Sequence, residues 1–398
     1  MADHSFAQQL SHESEAWVAQ GIVSAEQAAA IRSRYADAQE SRRGSATTAL
    51  AVIGAIAVGF GVIGFIAANW EEMSHAVRLV LLTLAVAGSY AAGFHLRDRT
   101  GDWPRLGEAF YLLGVLLFGA SLFLVGQMYN VQAHDPLALL LWAGGATSTA
   151  LVVRSRAIAA TAVLIFTSWV GWEFGLALEN AGSDSFTAFP VVAALYGGAL
   201  YGLATFAQAR VRSDWLASSG FPESSRGVGL PVGAAGLFVF TFADATHELG
   251  NAGDDVSGSL RAGLVLLALL AFAGAGALAV SRRPSSRYEA AMLAAVAGSM
   301  SVAVLAGGNG DAWAVLFNIL FAAVALGVIY AGYLSDEAWL VNLGVAFVAI
   351  DLVARYFDVF WSALPRSVGM IGAGLLVLGI AYVLERQRQR LLGQMAET

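Results

Sequence analysis

The sequence predicts an all-α, polytopic integral membrane bundle of about twelve transmembrane helices, on the strength of its composition, its apolar runs and its arginine placement. The 398 residues are 58% hydrophobic and 13% charged, with 44 glycines. Soluble globular chains are about 45–50% apolar and about 25% charged, so this chain carries too few charges to be wetted on every side. From Thr47 onward, apolar runs of roughly 17–25 residues recur, the length a helix needs to cross about 30 Å of hydrocarbon. They lie at 47–69, 79–96, 108–129, 137–153, 157–178, 190–208, 229–245, 262–280, 289–307, 312–333, 338–356 and 367–385. With the N-terminus placed inside, every arginine except Arg78, Arg261, Arg355 and Arg366 falls on the cytoplasmic side. That is the bias the positive-inside rule requires, and a missed span would scramble it.

Residues 1–45 are polar and precede the first run. Leu10, Trp17 and Val18 fall at helical spacing, Gly21 marks a stop, and Ser24 with Gln27 spells a capping box opening a second helix through Ala28 and Ile31. The expectation is a short cytoplasmic helical hairpin over residues 5–40, too small to be stable alone and therefore a docking point for the membrane body or a protein partner. Residues 46–208 then form a first six-span half, 209–228 a cytoplasmic linker, 229–385 a second six-span half, and 386–398 a basic cytoplasmic tail. The halves align: Gly61, Phe65, Ala68 and Asn69 meet Gly236, Phe240, Ala243 and Asp244. Glu108 and Ala109 meet Glu289 and Ala290, Asp135 meets Asp311, and Glu173 meets Asp351. Because six is even, such repeats share one orientation and are related by an axis along the membrane normal.

Composition closes several chemistries. No cysteine is present, which removes disulfides, thiolate metal sites and thiol nucleophiles. The basic residues are all arginine, so lysine Schiff bases and the P-loop lysine are absent. A net charge of −7 argues against nucleic acid as a partner. Gly59, Gly61 and Gly64 spell G-x-G-x-x-G, but inside the first span with no preceding strand; close helix packing explains them, as it explains Gly198 and Gly202. The histidines never approach metal-ligand spacing, and no metal or cofactor is expected.

Carboxylates within or at the ends of apolar runs are the exceptions to a solvated acidic outer face, because charge there is costly. Glu173 lies near the outer end of span five, Asp244 ends span seven, and Asp311 immediately precedes span ten. Asp351 lies about three turns into span eleven with Arg355 one turn on, an i,i+4 pair that either neutralises itself structurally or forms a proton relay or substrate clamp. Gln127, Tyr129 and Asn130 close span three; Gln127 and Asn130 share a face and offer donors and acceptors. The tryptophans near predicted interfaces read as an aromatic belt.

The opening Leu10…Trp17…Gly21-Ile22-Val23-Ser24…Gln27…Ile31, the run Gly64-Phe65-Ile66-Ala67-Ala68-Asn69-Trp70 and the run Gly119-Ala120-Ser121…Gly126-Gln127-Met128-Tyr129-Asn130 resemble an uncharacterised prokaryotic multi-pass membrane protein family, domain of unknown function 2157. The resemblance covers mainly residues 5–180. It implies an inner-membrane location and brings no established activity or catalytic residue. The leading expectation is a transporter-like or small-ligand-binding protein, not an enzyme, whose partners are the lipid bilayer and a small molecule or ion. Its outward-facing polar site between the halves would use Asn69, Gln127, Tyr129, Asn130, Glu173, Asp244, Asp311, Asp351 and Arg355. The alternatives are a membrane-embedded enzyme or assembly factor of cell-envelope lipid or polysaccharide metabolism, with Glu173 and Asp351 as acid and base, and a sensor or scaffold working through the hairpin.

Overall fold

The computed structural model describes residues 14, 17–29, 68, 70, 72–130, 136–180, 188–210, 218–251, 258–281, 283–306 and 309–360, with single residues 372, 374, 378, 379, 382 and 386. Its contacts divide the chain into two units, Met1–Val80 and Leu81–Thr398.

In the first unit a helical turn at 17–19 is closed by Ile22 N donating to Trp17 O at 2.9 Å, with Gly21 at φ +72°, the left-handed conformation glycine adopts without a Cβ penalty. The capping box follows. Gln27 N donates to Ser24 Oγ at 3.1 Å, and Ser24 N donates to Gln27 Oε1 at 2.9 Å. Ser24→Ala is expected to cost about 1 kcal/mol of local helix stability by orphaning the Gln27 amide. Amide exchange over residues 25–29 checks it; unchanged protection would show that the cap contributes nothing. The remainder of the expected hairpin, most of the first span including its three glycines, most of the twelfth span and the basic tail beyond 386 lie outside the described residues.

The membrane body is built of α1 (His75–Phe94), extended by a π-helical turn at His95–Arg99, then α2 (Pro104–Met128), α3 (Leu137–Val153), α4 (Arg156–Asn180), α5 (Ala188–Arg210), α6 (Phe221–Val239), α7 (Ala243–Asn251), α8 (Gly258–Ala279), α9 (Ser286–Ala306), α10 (Gly310–Ser335) and α11 (Ala338–Phe360). Among the described residues there is no strand, and eight helices are long and apolar enough to cross a membrane. Each expected span from 79–96 to 338–356 except the seventh coincides with a helix.

Span seven departs from expectation. Its helix, α6, begins at Phe221 rather than 229, because Gly220 at φ +76° turns the chain and Pro222 fits the first turn. It ends at Val239 rather than 245. Phe240, Thr241 and Phe242 donate to Leu237, Phe238 and Val239 carbonyls, each three residues back, which tightens and ends the helix before α7 starts afresh.

Two apolar clusters hold the body together. Tyr111, Val115, Ala143, Ala146, Ile158 and Ala162 join α2, α3 and α4. Val191, Leu195, Leu237, Ala271, Met300, Phe317, Phe321 and Leu340 join α5, α6 and α8 to α11. Although α5 is the last span of the expected first half, it packs with the second cluster. Glycine is the reason. Cβ atoms added at Gly197, Gly229 and Gly236 would meet facing backbone at 2.2, 2.8 and 2.4 Å, so α5 and α6 touch main chain to main chain. Gly198 and Gly202 instead receive Leu293 of α9.

Two connections share one design. After α3, Arg154 at φ +55° reverses the chain and Ser155 caps α4; after α10, Asp336 at φ +56° does the same and the Glu337 carbonyl receives Leu340 N. Arg97 Nη2 donates to Val153 O at 2.7 Å, and Arg283 Nη2 lies 3.0 Å from Glu337 Oε1. Glu108 accepts from Ser155, while Glu289 accepts from Ser285, whose hydroxyl meets Ser335.

Candidate functional site

The break between α6 and α7 gathers polar groups at one end of the bundle. Ending the helix early leaves the Thr241 carbonyl without a helical partner, and side chains supply one. Asn318 Nδ2 donates to it at 2.7 Å, and Arg355 Nη1 at 3.2 Å. Arg355 Nη2 donates to Thr241 Oγ1 at 2.8 Å and Nη1 to Asp358 Oδ2 at 3.1 Å, with the guanidinium 4.5 Å from the Phe242 ring centre. Two turns before Asn318 on α10, Asp311 pairs with His247 of α7 at 3.0 Å.

Of the residues singled out from sequence, this cluster holds Asp351, Arg355 and Asp311. Asp351 Oδ1 stands 3.7 Å from Arg355 Nε, an i,i+4 ion pair without a hydrogen bond. Asp244 is exposed in the first turn of α7, and Glu173 is exposed on α4 with no hydrogen bond or ion pair to Asp351. Gln127, Tyr129 and Asn130 are exposed where α2 ends. Tyr129 is the C-cap, and Asn130 takes the left-handed conformation at φ +50° that asparagine tolerates, so this run terminates a helix. Asn69 and Asp135 lie outside the described residues.

Because Arg355 sends its hydrogen bonds to Thr241 and Asp358, its removal is expected to cost more than removal of Asp351. Asp351→Asn should cost under about 1 kcal/mol, as for a partly exposed pair. Arg355→Gln should cost about 1–3 kcal/mol by stripping a bent-out carbonyl and a hydroxyl of their charged donor. A double-mutant cycle read by thermal melting in detergent checks the order, and strong coupling with the reverse order would refute it.

The other end of the bundle holds a polar cluster that the sequence reading missed. Arg226, expected in the linker 209–228, is only 2% exposed on α6. Its Nη1 donates to Gln208 Oε1 at 2.8 Å and to Glu337 Oε1 at 3.0 Å, and Nη2 to Glu337 Oε2 at 2.5 Å. The guanidinium lies 5.2 Å from the Trp339 ring centre and 5.7 Å from that of Tyr201. Burial pushes the Glu337 carboxyl up, but the hydrogen bonds and charge of Arg226, joined by Arg283, outweigh it and hold the group below the ordinary glutamate value. Tyr201 donates to Glu289 Oε2 at 2.7 Å. Among the described residues no three histidine or carboxylate groups converge as a metal site.

The signal for Asn318 was present as a lone amide inside an apolar run. Arg226 gave none, because Glu223-Ser224-Ser225-Arg226 has the composition of a solvated loop.

Residues 15–159 match the family described as "Predicted membrane protein (DUF2157)". The segment falls within the part of the chain that carries the sequence resemblance and reaches from the N-terminal unit into the first turn of α4. Comparison with curated proteins and comparison with solved structures each gave no match. The family and the run of apolar helices make the chain a multi-pass integral membrane protein.

Proposed function

We propose that the protein is a transporter-like membrane protein that binds a small polar or charged solute at the broken-helix end of the bundle. One observation carries this reading: Arg355 and Asn318 converge on the backbone of Thr241, where α6 stops and α7 begins, with Asp351 and Asp358 beside them. Discontinuous helices whose freed carbonyls face polar side chains are how helical transporters build solute and ion sites within the bilayer. The six-plus-six duplication is supported by the matching Arg154 and Asp336 turns and by the serine-bound glutamates Glu108 and Glu289. The arginine-rich end is assigned to the cytoplasm and the broken-helix end outward, in an inner membrane, with both termini cytoplasmic. Alkaline-phosphatase activity from a reporter fused after Arg390 would overturn this orientation.

The test of binding is a thermal-shift screen of detergent-purified protein against small amino acids, organic acids, sugars and monovalent cations. The expected result is stabilisation by one class, lost in Asn318→Ala and in Arg355→Gln. Stabilisation that survives both substitutions, or none from any class, would sink the reading.

A further inference from the structure

At the arginine-rich end, Glu289 is a buried carboxylate that the ion pairs there do not use. It is 4% exposed, yet Arg226 and Arg283 both direct their charge to Glu337. Its own contacts are hydroxyls, Tyr201 on one oxygen and Ser285 on the other. On one side it lines, with Tyr201, a cavity of about 70 Å³ between α5, α6, α9 and α10. A water needs roughly 10–15 Å³ and polar partners, and Tyr201 and Glu289 are the polar side chains that line this space. On the other side, Ser285 is fully buried and its hydroxyl lies 2.6 Å from that of Ser335. Ser335 lines an open pocket of about 400 Å³ together with Gln208, Arg283, Asp336 and Glu337. An unbroken row of hydroxyls therefore joins solvent to a buried carboxylate that backs onto a water-sized chamber.

We propose that Glu289 is a proton-binding site, loaded from the arginine-rich end through Ser335 and Ser285. A hydronium ion in the open pocket gives its proton to Ser335 Oγ as that hydroxyl passes its own proton to Ser285. Ser285 passes its proton to Glu289 Oε1, and the net change is hydronium to water and carboxylate to carboxylic acid. The charged and titratable groups around Glu289 are Tyr201 from α5, Arg226 from α6, Arg283 from the α8–α9 connection and Glu337 from the α10–α11 connection. With Glu289 ionised, the two arginines and two glutamates balance. Protonation leaves one positive charge, so loading Glu289 changes the field across this end of the bundle.

The site is independent of the solute site at the broken-helix end, and its test does not depend on transport. Infrared difference spectra of the full-length protein in lipid, recorded between neutral and acidic pH, are expected to show a carboxylic-acid carbonyl band. Glu289→Gln should remove one component of that band, to which the other carboxylates also contribute, and Asp351→Asn should leave that component in place. If Glu289→Gln does not fold, Glu289→Asp should still move that component's frequency. Ser285→Ala should keep the component and slow its rise after a pH jump. A band unchanged in both Glu289 variants, or a component lost only in Asp351→Asn, would overturn the proposal.

Discussion

Gly197→Leu is expected to prevent assembly of the membrane body. A Cβ at Gly197 would lie 2.2 Å from Gly233 N and 2.5 Å from Gly229 O, and neither is a flexible side chain that can swing away. Relief requires moving α6 off α5, which would also open the contacts of Gly229 with the Gly197 carbonyl and of Gly236 with the Pro190 carbonyl. Overpacking costs typically 1–3 kcal/mol, and here more than about 3 kcal/mol is expected because two backbones must separate. Gly276 of α8 is the control. Nothing lies within 4 Å of a Cβ built there, so Gly276→Ala should be neutral or gain slightly from helix propensity. Yield and melting temperature of the two variants in detergent decide it; equal behaviour would show that the α5–α6 contact does not set stability.

Glu337→Gln is the second large effect. It leaves Arg226, 2% exposed, with only Gln208 and one amide oxygen as acceptors, and it brings an amide donor against a guanidinium. Breaking a buried pair costs about 3–5 kcal/mol, and the low end applies because the Glu337 side chain is itself 22% exposed. Adding Arg226→Met should recover much of the loss, since the stranded charge is then gone; a purely additive double variant would show that the charges do not couple. The pH dependence follows from the direction of the Glu337 shift. Its carboxyl is held below the ordinary value in the folded protein, so the stabilisation is complete above that value and is lost as pH falls through the lower, folded-state value. Acid melting curves of wild type should therefore drop where those of Glu337→Gln stay flat.

The Asp351 and Arg355 pair was legible because two charges one turn apart inside an apolar run stand out against the cost of burying them. What Arg355 reaches was not legible, since Thr241 is 114 positions away and its carbonyl became available only when α6 ended early. Glu289 was visible as the repeat partner of Glu108, but Tyr201 reaches it from 88 positions away and Ser335 reaches its neighbour Ser285 from 50 positions away, which only the fold brings about. The Gln127-Met128-Tyr129-Asn130 run carried the composition of a binding motif and proved to be the end of a helix, because an asparagine suited to a left-handed turn looks the same in sequence as one suited to a ligand.

By itself the sequence determined that this chain is a multi-pass helical membrane protein and, except at the seventh, where each described span runs, because bilayer thickness imposes a run length that any reader of hydropathy can measure. Tertiary structure alone decided which helices pack together and which charges meet. Lipid is as apolar as leucine, so hydrophobicity does not choose helix neighbours within the bilayer; glycine-lined backbone contact and partnered polar groups do. Those choices put Arg226 inside the bundle against Glu337, seat α5 against α6 along Gly197 and Gly229, and turn a broken seventh span into the place where Arg355, Asn318 and Thr241 converge.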